Sequence, residues 1–327
     1  MCNNCYYRIN CKKTRYFYTA KHADAAVAKR RSNSRKGAQV SKEELEKIDA
    51  ILKPLIRKGQ PLTHIYAEHE KEFPVSQRTL YNYIDSGILS VKNIDLRRKT
   101  GYRPRRKNKP EKLGFQNQEF RKNHTYEDFQ KALDKKKFIS EDVVEMDTVK
   151  GVRESGKRLL TMIFRRNSVM LMFLMPDGKA ESVKRVFDYL EAGLGLDCFK
   201  RLFPVILTDN GSEFKRVEDL EYSDELEKRT NIYYCDPMAS WQKGQIEKNH
   251  EYIRYSVPKG KSFNACTQDD ITKLMNHINS TKRFGLKMKS PYELIQKDDE
   301  DMKELMYLLK MHLIPADEVH LTPDIFR

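Results

Sequence analysis

The sequence predicts an α/β unit built on a mixed five-stranded sheet flanked by helices, with an all-α unit in front of it. Three observations carry this prediction. Between residues 143 and 175 three short apolar, β-branched segments follow one another closely, as antiparallel strands do. From 182 to 256 helical spacing and buried-type strands alternate, the order that makes the second half of a sheet parallel. Upstream, residues 41–87 show helical periodicity and no strand signal.

Taken in chain order, residues 1–37 form a Cys-containing, basic leader. Cys2, Cys5 and Cys11 stand at C-x2-C-x5-C spacing with His22 downstream, and thiolate and imidazole are zinc's preferred ligands. No second C-x2-C follows, so the zinc signal is weak and unligated thiols are the plainer expectation.

Residues 38–92 read as a helix-turn-helix domain. Ser41 and Glu44 make a capping box, after which Leu45, Ile48, Ile51, Leu52, Leu55 and Ile56 fall at helical spacing. Pro54 is expected to kink or end that helix, with Gly59 as its stop. A second short helix carries Leu62, Ile65 and Tyr66. Ser76 caps a third, which ends near Gly87. In this third helix Leu80 and Ile84 share one face, leaving Gln77, Arg78, Thr79 and Asn82 free to reach base edges in a major groove. A three-helix packing module is the plainer alternative.

Residues 93–138 are a basic linker and a short helix. From 97 to 112 nine of sixteen residues are Lys or Arg, interrupted by Gly101, Pro104 and Pro110. Such a stretch lies along phosphates more readily than it folds, and Arg103, Arg105, Arg106 and Lys107 are its expected DNA contacts. The whole chain of 327 residues has 62 Lys and Arg against 47 acids, a net charge of +15, which favours a polyanionic partner.

Strands are expected at 143–149, 159–164, 169–175, 204–208 and 232–235, with a helix at 182–194 and another opened by Trp241 and running to about 256. Trp241, the sole tryptophan, is expected in the core rather than as a stacking platform. The longest apolar run, 169–175, is far short of the ~20 residues that span a bilayer, and residues 1–20 lack the apolar stretch of a secretory signal. Six cysteines make no disulfide framework, so the chain reads as cytoplasmic.

Asp147 lies within the first strand, Asp209 just past the fourth, and Glu247 on the helix after the fifth. Acids gathered at strand ends repel one another unless a divalent cation is bound, and Mg²⁺ takes one or two carboxylates together with substrate phosphate oxygens. Glu251 competes for the third role, as do Glu145, which shares Asp147's strand face, and Glu213. Asn210 and Gly211 are expected to shape the turn that presents Asp209, glycine being the residue that tolerates positive φ.

Val144-Glu145-Met146-Asp147-Thr148-Val149, Leu207-Thr208-Asp209-Asn210-Gly211-Ser212-Glu213-Phe214 and the segment from Asp236-Pro237 through Trp241-Gln242-Lys243-Gly244-Gln245-Ile246-Glu247-Lys248-Asn249 resemble the integrase-core motifs of the insertion-sequence-thirty transposases. Pro258-Lys259-Gly260 and the stretch from Asn279 to Pro291-Tyr292-Glu293 match that family's later pattern. The resemblance implies a ribonuclease-H-like integrase core at 139–295, followed by a C-terminal helical tail at 296–327. It makes Asp147, Asp209 and Glu247 the catalytic and metal-binding acids, holding Mg²⁺ or Mn²⁺, two ions per site. Double-stranded DNA is the implied partner, as terminal inverted repeats and target DNA, with a homo-oligomer in the synaptic complex, no membrane, and a place at the bacterial nucleoid. The implied reaction is nicking at element ends and transfer of the 3′-hydroxyl into target DNA. Set beside the family, the chain is expected to lack its first N-terminal helix-turn-helix. A catalytically silent, truncated remnant that represses or competes as a DNA-binding protein is the alternative, and a related nuclease on the same fold is a third reading.

Overall fold

The structure, a computed structural model, describes residues 2–7, 9–34, 38, 40–97, 119–151 and 156–326. After the leader helix α1 (Ala20–Ser34) come α2 (Lys42–Arg57), α3 (Leu62–His69) and α4 (Gln77–Asp85). The capping box forms as expected: Ser41 Oγ accepts Glu44 N–H at 3.2 Å and Glu44 Oε2 accepts Ser41 N–H at 2.7 Å. Pro54, however, does not end α2, which continues to Arg57. The proline costs the helix one hydrogen bond and a close ring contact, but burial of Leu52, Leu55 and Ile56 around it holds the helix on, and the chain turns instead at Gly59, where φ is +76°. Ile48, Leu52, Leu62, Ile65, Leu80 and Ile84 close a small core of their own.

The sheet comprises β1 (Val143–Lys150), β2 (Arg158–Phe164), β3 (Met170–Met175), β4 (Val205–Thr208) and β5 (Ile232–Tyr234) in the order β3-β2-β1-β4-β5. β1, β2 and β3 are antiparallel, and β4 and β5 run parallel to β1. Around it lie α5 (Tyr126–Asp134), α6 (Ala180–Leu194), α7 (Leu196–Leu202), α8 (Val217–Glu221), α9 (Gly244–Ser256), α10 (Gln268–Asn279) and α11 (Glu300–Leu308).

Strand alternation assigns the two faces. Val143, Val205, Leu207 and Tyr233 pack with Phe129 of α5, while Thr161, two residues from Ile163 on the same face, meets His250 of α9. Phe164, on the opposite face, stacks on Phe203 beyond α7, and Phe199 and Phe187 continue that layer. The sheet is therefore sandwiched between helices. Such burial on both faces explains why β2 and β3 read as continuous apolar runs.

Residues past α11 bind the two units together. Met311, Val319, Leu321 and Ile325 are buried in the main core. Leu321 N–H donates to Lys58 O at 2.9 Å, and Gln60 Nε2 donates to Ala316 O and Val319 O, both at 2.9 Å. His64, fully buried on α3, lies 3.0 Å by Nε2 from Ala316 O and accepts Lys282 N–H at Nδ1, 2.8 Å away.

Candidate active site

The strand register sets the two aspartates side by side. Glu145 pairs with Leu207 across the parallel β1–β4 ladder. Two residues further along stand Asp147, within β1, and Asp209, just past the end of β4, close enough that one side chain reaches both. Facing them is an ammonium: Lys243 Nζ is 3.1 Å from Asp147 Oδ2 and 3.5 Å from Asp209 Oδ2, with the lysine side chain buried. Burial raises the Asp147 carboxyl above the usual range, and Lys243 opposes that rise. Asp209 is half exposed, so the pair opens to solvent on its side.

Five contacts hold this arrangement. Glu145, on the same face as Asp147, is buried; its Oε1 accepts Arg165 Nε–H at 2.8 Å and its Oε2 accepts Ile246 N–H at 2.9 Å. Arg165 Nη2 donates to Gln242 O at 2.9 Å, so the start of α9 is fastened from two directions. Thr148 Oγ1 donates to Glu213 Oε1 at 2.6 Å, joining β1 to the turn after Asp209. Asn210 Nδ2 donates to Cys235 O at 2.9 Å, tying the same turn to the end of β5.

Gly211 corrects an expectation. Its φ is −57°, so no left-handed conformation calls for glycine. The reason is room: a Cβ there would come 2.8 Å from Glu213 Oε2 and 3.1 Å from Asp209 Oδ1. Trp241 corrects another, being 74% exposed with its ring edge-on to Tyr126 rather than in the core. It lies in a 3₁₀ turn, Ser240–Lys243, and α9 proper begins at Gly244.

The remaining expected residues fall as follows. Glu247 is exposed on the first turn of α9, one turn beyond Lys243, and makes no hydrogen bond or ion pair among the described residues. Glu251 is exposed one turn further along. No three His, Cys, Asp or Glu side chains converge as a metal set among the described residues. Cys5 is exposed, and Cys2 Sγ accepts Tyr16 N–H at 3.4 Å. On α4, Arg78 and Asn82 are exposed, Thr79 is half-buried beside its cap Ser76, and Gln77 Nε2 donates to Thr63 Oγ1 at 2.8 Å. Arg103, Arg105, Arg106 and Lys107 lie outside the described residues. Sequence reasoning missed Lys243; the available signal was its place four residues before Glu247, on the same side of the turn.

A five-stranded sheet in the order 3-2-1-4-5, three strands antiparallel and two parallel, with Asp147 on the central strand and Asp209 just past its parallel neighbour, defines a ribonuclease-H-like core. In sequence the chain is similar to transposases of insertion sequences, those of the insertion-sequence-thirty type among them. It is 27% identical over 234 residues to a Streptococcus salivarius protein named as a probable transposase for the insertion-like sequence element IS1161. The matched stretch is 68% of this chain and 60% of that one. It is 30% identical over 150 residues to the transposase of IS4351 from Bacteroides fragilis, 46% of this chain and 43% of that one. Against the transposase InsI of IS30C from Escherichia coli it is 26% identical over 153 residues, 47% and 37% of the two chains. The chain thus spans less than two thirds of these relatives' lengths. No protein-family model matches it. Among solved structures, the catalytic core domain of BIV integrase is 16% identical with a TM-score of 0.33, covering 51% of this chain and 99% of that one. The fold assignment rests on strand order and register. No helix among the described residues is long and apolar enough to cross a membrane.

Proposed function

We propose that the chain is a DNA transposase, cutting at the ends of an insertion element and joining the freed 3′-hydroxyl to target DNA. The observation that carries the reading is the pair Asp147, in β1, and Asp209, just past its parallel neighbour β4, both within 3.5 Å of one buried cation, Lys243. The similarity to transposases supports it. Asp147, Asp209 and, from α9, Glu247 would hold Mg²⁺ or Mn²⁺, two ions per site, which would neutralise charge on the attacking and leaving oxygens of an in-line displacement. Two adjacent carboxylates already balanced by a cation suit that group chemically, and exposed Glu247 is free to swing toward it.

The chain's own residues then do the positioning. In cleavage a water oxygen bonds to phosphorus, the P–O3′ bond breaks, and the 3′ oxygen leaves as a hydroxyl once protonated. In joining, that hydroxyl oxygen bonds to a target phosphorus, the target's own P–O3′ bond breaks and its 3′ oxygen leaves as a hydroxyl once protonated, so no covalent protein intermediate arises. Glu145 and Arg165 fix α9 against β1, which sets where Lys243 and Glu247 stand. Duplex DNA is read by Arg78 and Asn82 of α4, with Gln77 and Thr79 beside them, and the stretch with Arg103, Arg105, Arg106 and Lys107 follows phosphates. A homo-oligomer bringing two element ends together, at the nucleoid, completes the reading.

A second reading, a DNA-binding protein without turnover, is favoured by Lys243 standing where a metal ion would be needed. The test is incubation of the full chain with supercoiled plasmid carrying the DNA that flanks its gene, in Mg²⁺, Mn²⁺ or EDTA. Metal-dependent nicks and joined products support the transposase. Tight binding with no nick in either metal supports the second reading.

A further inference from the structure

A cleft of about 730 Å³ opens between the helix-turn-helix unit and the core. Arg78, Arg97, Lys248, Arg283 and Phe284 line it. Among the described residues its only acidic lining residue is Asp95, whose carboxylate accepts Lys92 N–H at 2.8 Å.

Two of these cations are half-buried, each with one guanidinium nitrogen fully buried, and face no carboxylate among the described residues. Arg283 Nη1 donates to Asn249 Oδ1 at 2.6 Å and Nη2 to Ile278 O at 3.1 Å, while its guanidinium lies 4.7 Å over the Tyr252 ring. Arg97 donates to Leu321 O and lies 4.0 Å over the Tyr255 ring. Neither has an acidic partner among the described residues, and Arg97 Nη1 and Arg283 Nε have no hydrogen-bond partner there. Burial lowers both guanidinium pKa values, Arg97 to about 10. A buried charge without a counter-ion is costly unless an anion comes to it.

The rim is equally specific. Phe284 is 77% exposed, held out on a loop closed by an Arg283–Lys289 bridge. Lys287 and Met288, consecutive non-glycine residues with φ of +54° and +63°, give that loop its shape. Backbone held in such conformations is more often found at binding sites than elsewhere. Lys248, also exposed, adjoins Glu247 on α9, and Arg78 lies on the reading helix, so the cleft links the two.

Its volume falls in the range of clefts that enclose a small molecule, roughly 300–1,000 Å³. A B-form duplex, whose major groove alone is about 12 Å across, is too wide for it. Cations along a groove with flat guanidinium and aromatic surfaces between them are how single strands are held, phosphates on the charges and bases on the planes.

We propose that this cleft binds a short unpaired stretch of DNA strand, its phosphates on Arg97, Arg283 and Lys248 and a base stacked on Phe284, between the reading helix and the acids. The site deepens the transposase reading by naming the form in which the strand reaches the acids, and it rests on that reading. Its test does not depend on turnover.

The experiment measures binding of a labelled single-stranded thymidine octamer to the full chain in EDTA, beside a duplex of the same length. Phe284→Ala weakens the octamer about tenfold, the size of a lost stacking contact, and the duplex less than twofold. Lys248→Gln and Arg97→Gln each flatten the slope of log affinity against log salt by about 0.7 for the octamer. Tyr307→Ala, an equally exposed ring elsewhere, leaves octamer binding unchanged. The proposal is overturned if Phe284→Ala and Lys248→Gln both bind the octamer like wild type. It is also overturned if inorganic phosphate strips the octamer while Phe284→Ala has no effect, for the cleft is then an anion site with no strand. Failure of the acids to cut DNA leaves this result standing, and failure here leaves the plasmid assay standing.

Discussion

Glu145 of β1 reaches across to α9: its Oε2 accepts the N–H of Ile246 at 2.9 Å, so a buried carboxylate caps a helix that is not its own. The other oxygen is taken by Arg165. The acid nearest to Asp147 along the strand thus fastens α9 to the sheet. Glu145→Ala leaves Arg165 without its counter-ion and Ile246 without an acceptor, and should cost about 3–5 kcal/mol of stability in urea denaturation. Glu145→Gln, which keeps an acceptor for Ile246, should lose less. Equal stability of Glu145→Ala and wild type would remove this role.

In the proposed reading, Lys243 and a divalent cation would compete for the same carboxylates. Lys243→Gln should therefore bind Mg²⁺ more tightly than wild type, read as a larger rise in melting temperature on adding Mg²⁺. A ligand at a hundred times its dissociation constant stabilises by about 2.7 kcal/mol. Asp147→Asn and Asp209→Asn should abolish that rise. A melting temperature indifferent to Mg²⁺ in wild type and Lys243→Gln alike would count against a metal site here.

The sheet was legible because burial on both faces leaves unbroken apolar runs, and the capping box at Ser41 and Glu44 because it is local in sequence. Asp147 and Asp209 were legible as strand-associated acids. Their adjacency was not, since it comes from a parallel register between strands separated by a long crossover. Lys243 and the Glu145–Ile246 bond were invisible for the same reason: both depend on how α9 settles on β1. Trp241 misled because burial is only a tendency of its residue type, and here the ring sits on a turn at the rim. The run from 311 to 326, which joins the two units, has no helical or strand period to read.

Acid should loosen the join between the units. Burial, followed by the nearby His320, Lys273 and His312, holds the His277 imidazole down at about 4, and burial also lowers His64. Both are bases whose folded pKa lies below the unfolded value of about 6.5. Above that pH neither form binds the proton and nothing is lost. Below it the unfolded chain takes up protons that the folded one refuses, so stability falls by at most about 1.4 kcal/mol per pH unit per histidine. For His277 the fall levels off near pH 4. Melting curves from pH 7.5 to 4.5 check this, and His277→Gln should flatten the decline. A curve unchanged by that substitution would rule His277 out as its source.

Arg78 and Leu80 separate reading from folding. Arg78 is exposed on α4 while Leu80 is wholly buried. Arg78→Ala should weaken cognate duplex by about 1–3 kcal/mol and random duplex much less. Leu80→Ala should lose about 2–5 kcal/mol of stability in the helix-turn-helix unit. Equal losses on both DNAs for Arg78→Ala would make it a phosphate contact.

Whether the paired acids do the cutting is tested most directly by metal-dependent nicking of plasmid carrying the flanking DNA, comparing wild type with Asp147→Asn, Asp209→Asn and Glu247→Gln. Each substitution is close to isosteric, so the fold and duplex binding should persist. The expected result is nicking by wild type in Mg²⁺ or Mn²⁺ and none by any of the three. Wild-type nicking by Asp147→Asn or Asp209→Asn would contradict the assignment of the site, and loss with Glu251→Gln but not Glu247→Gln would move the third acid one turn along α9.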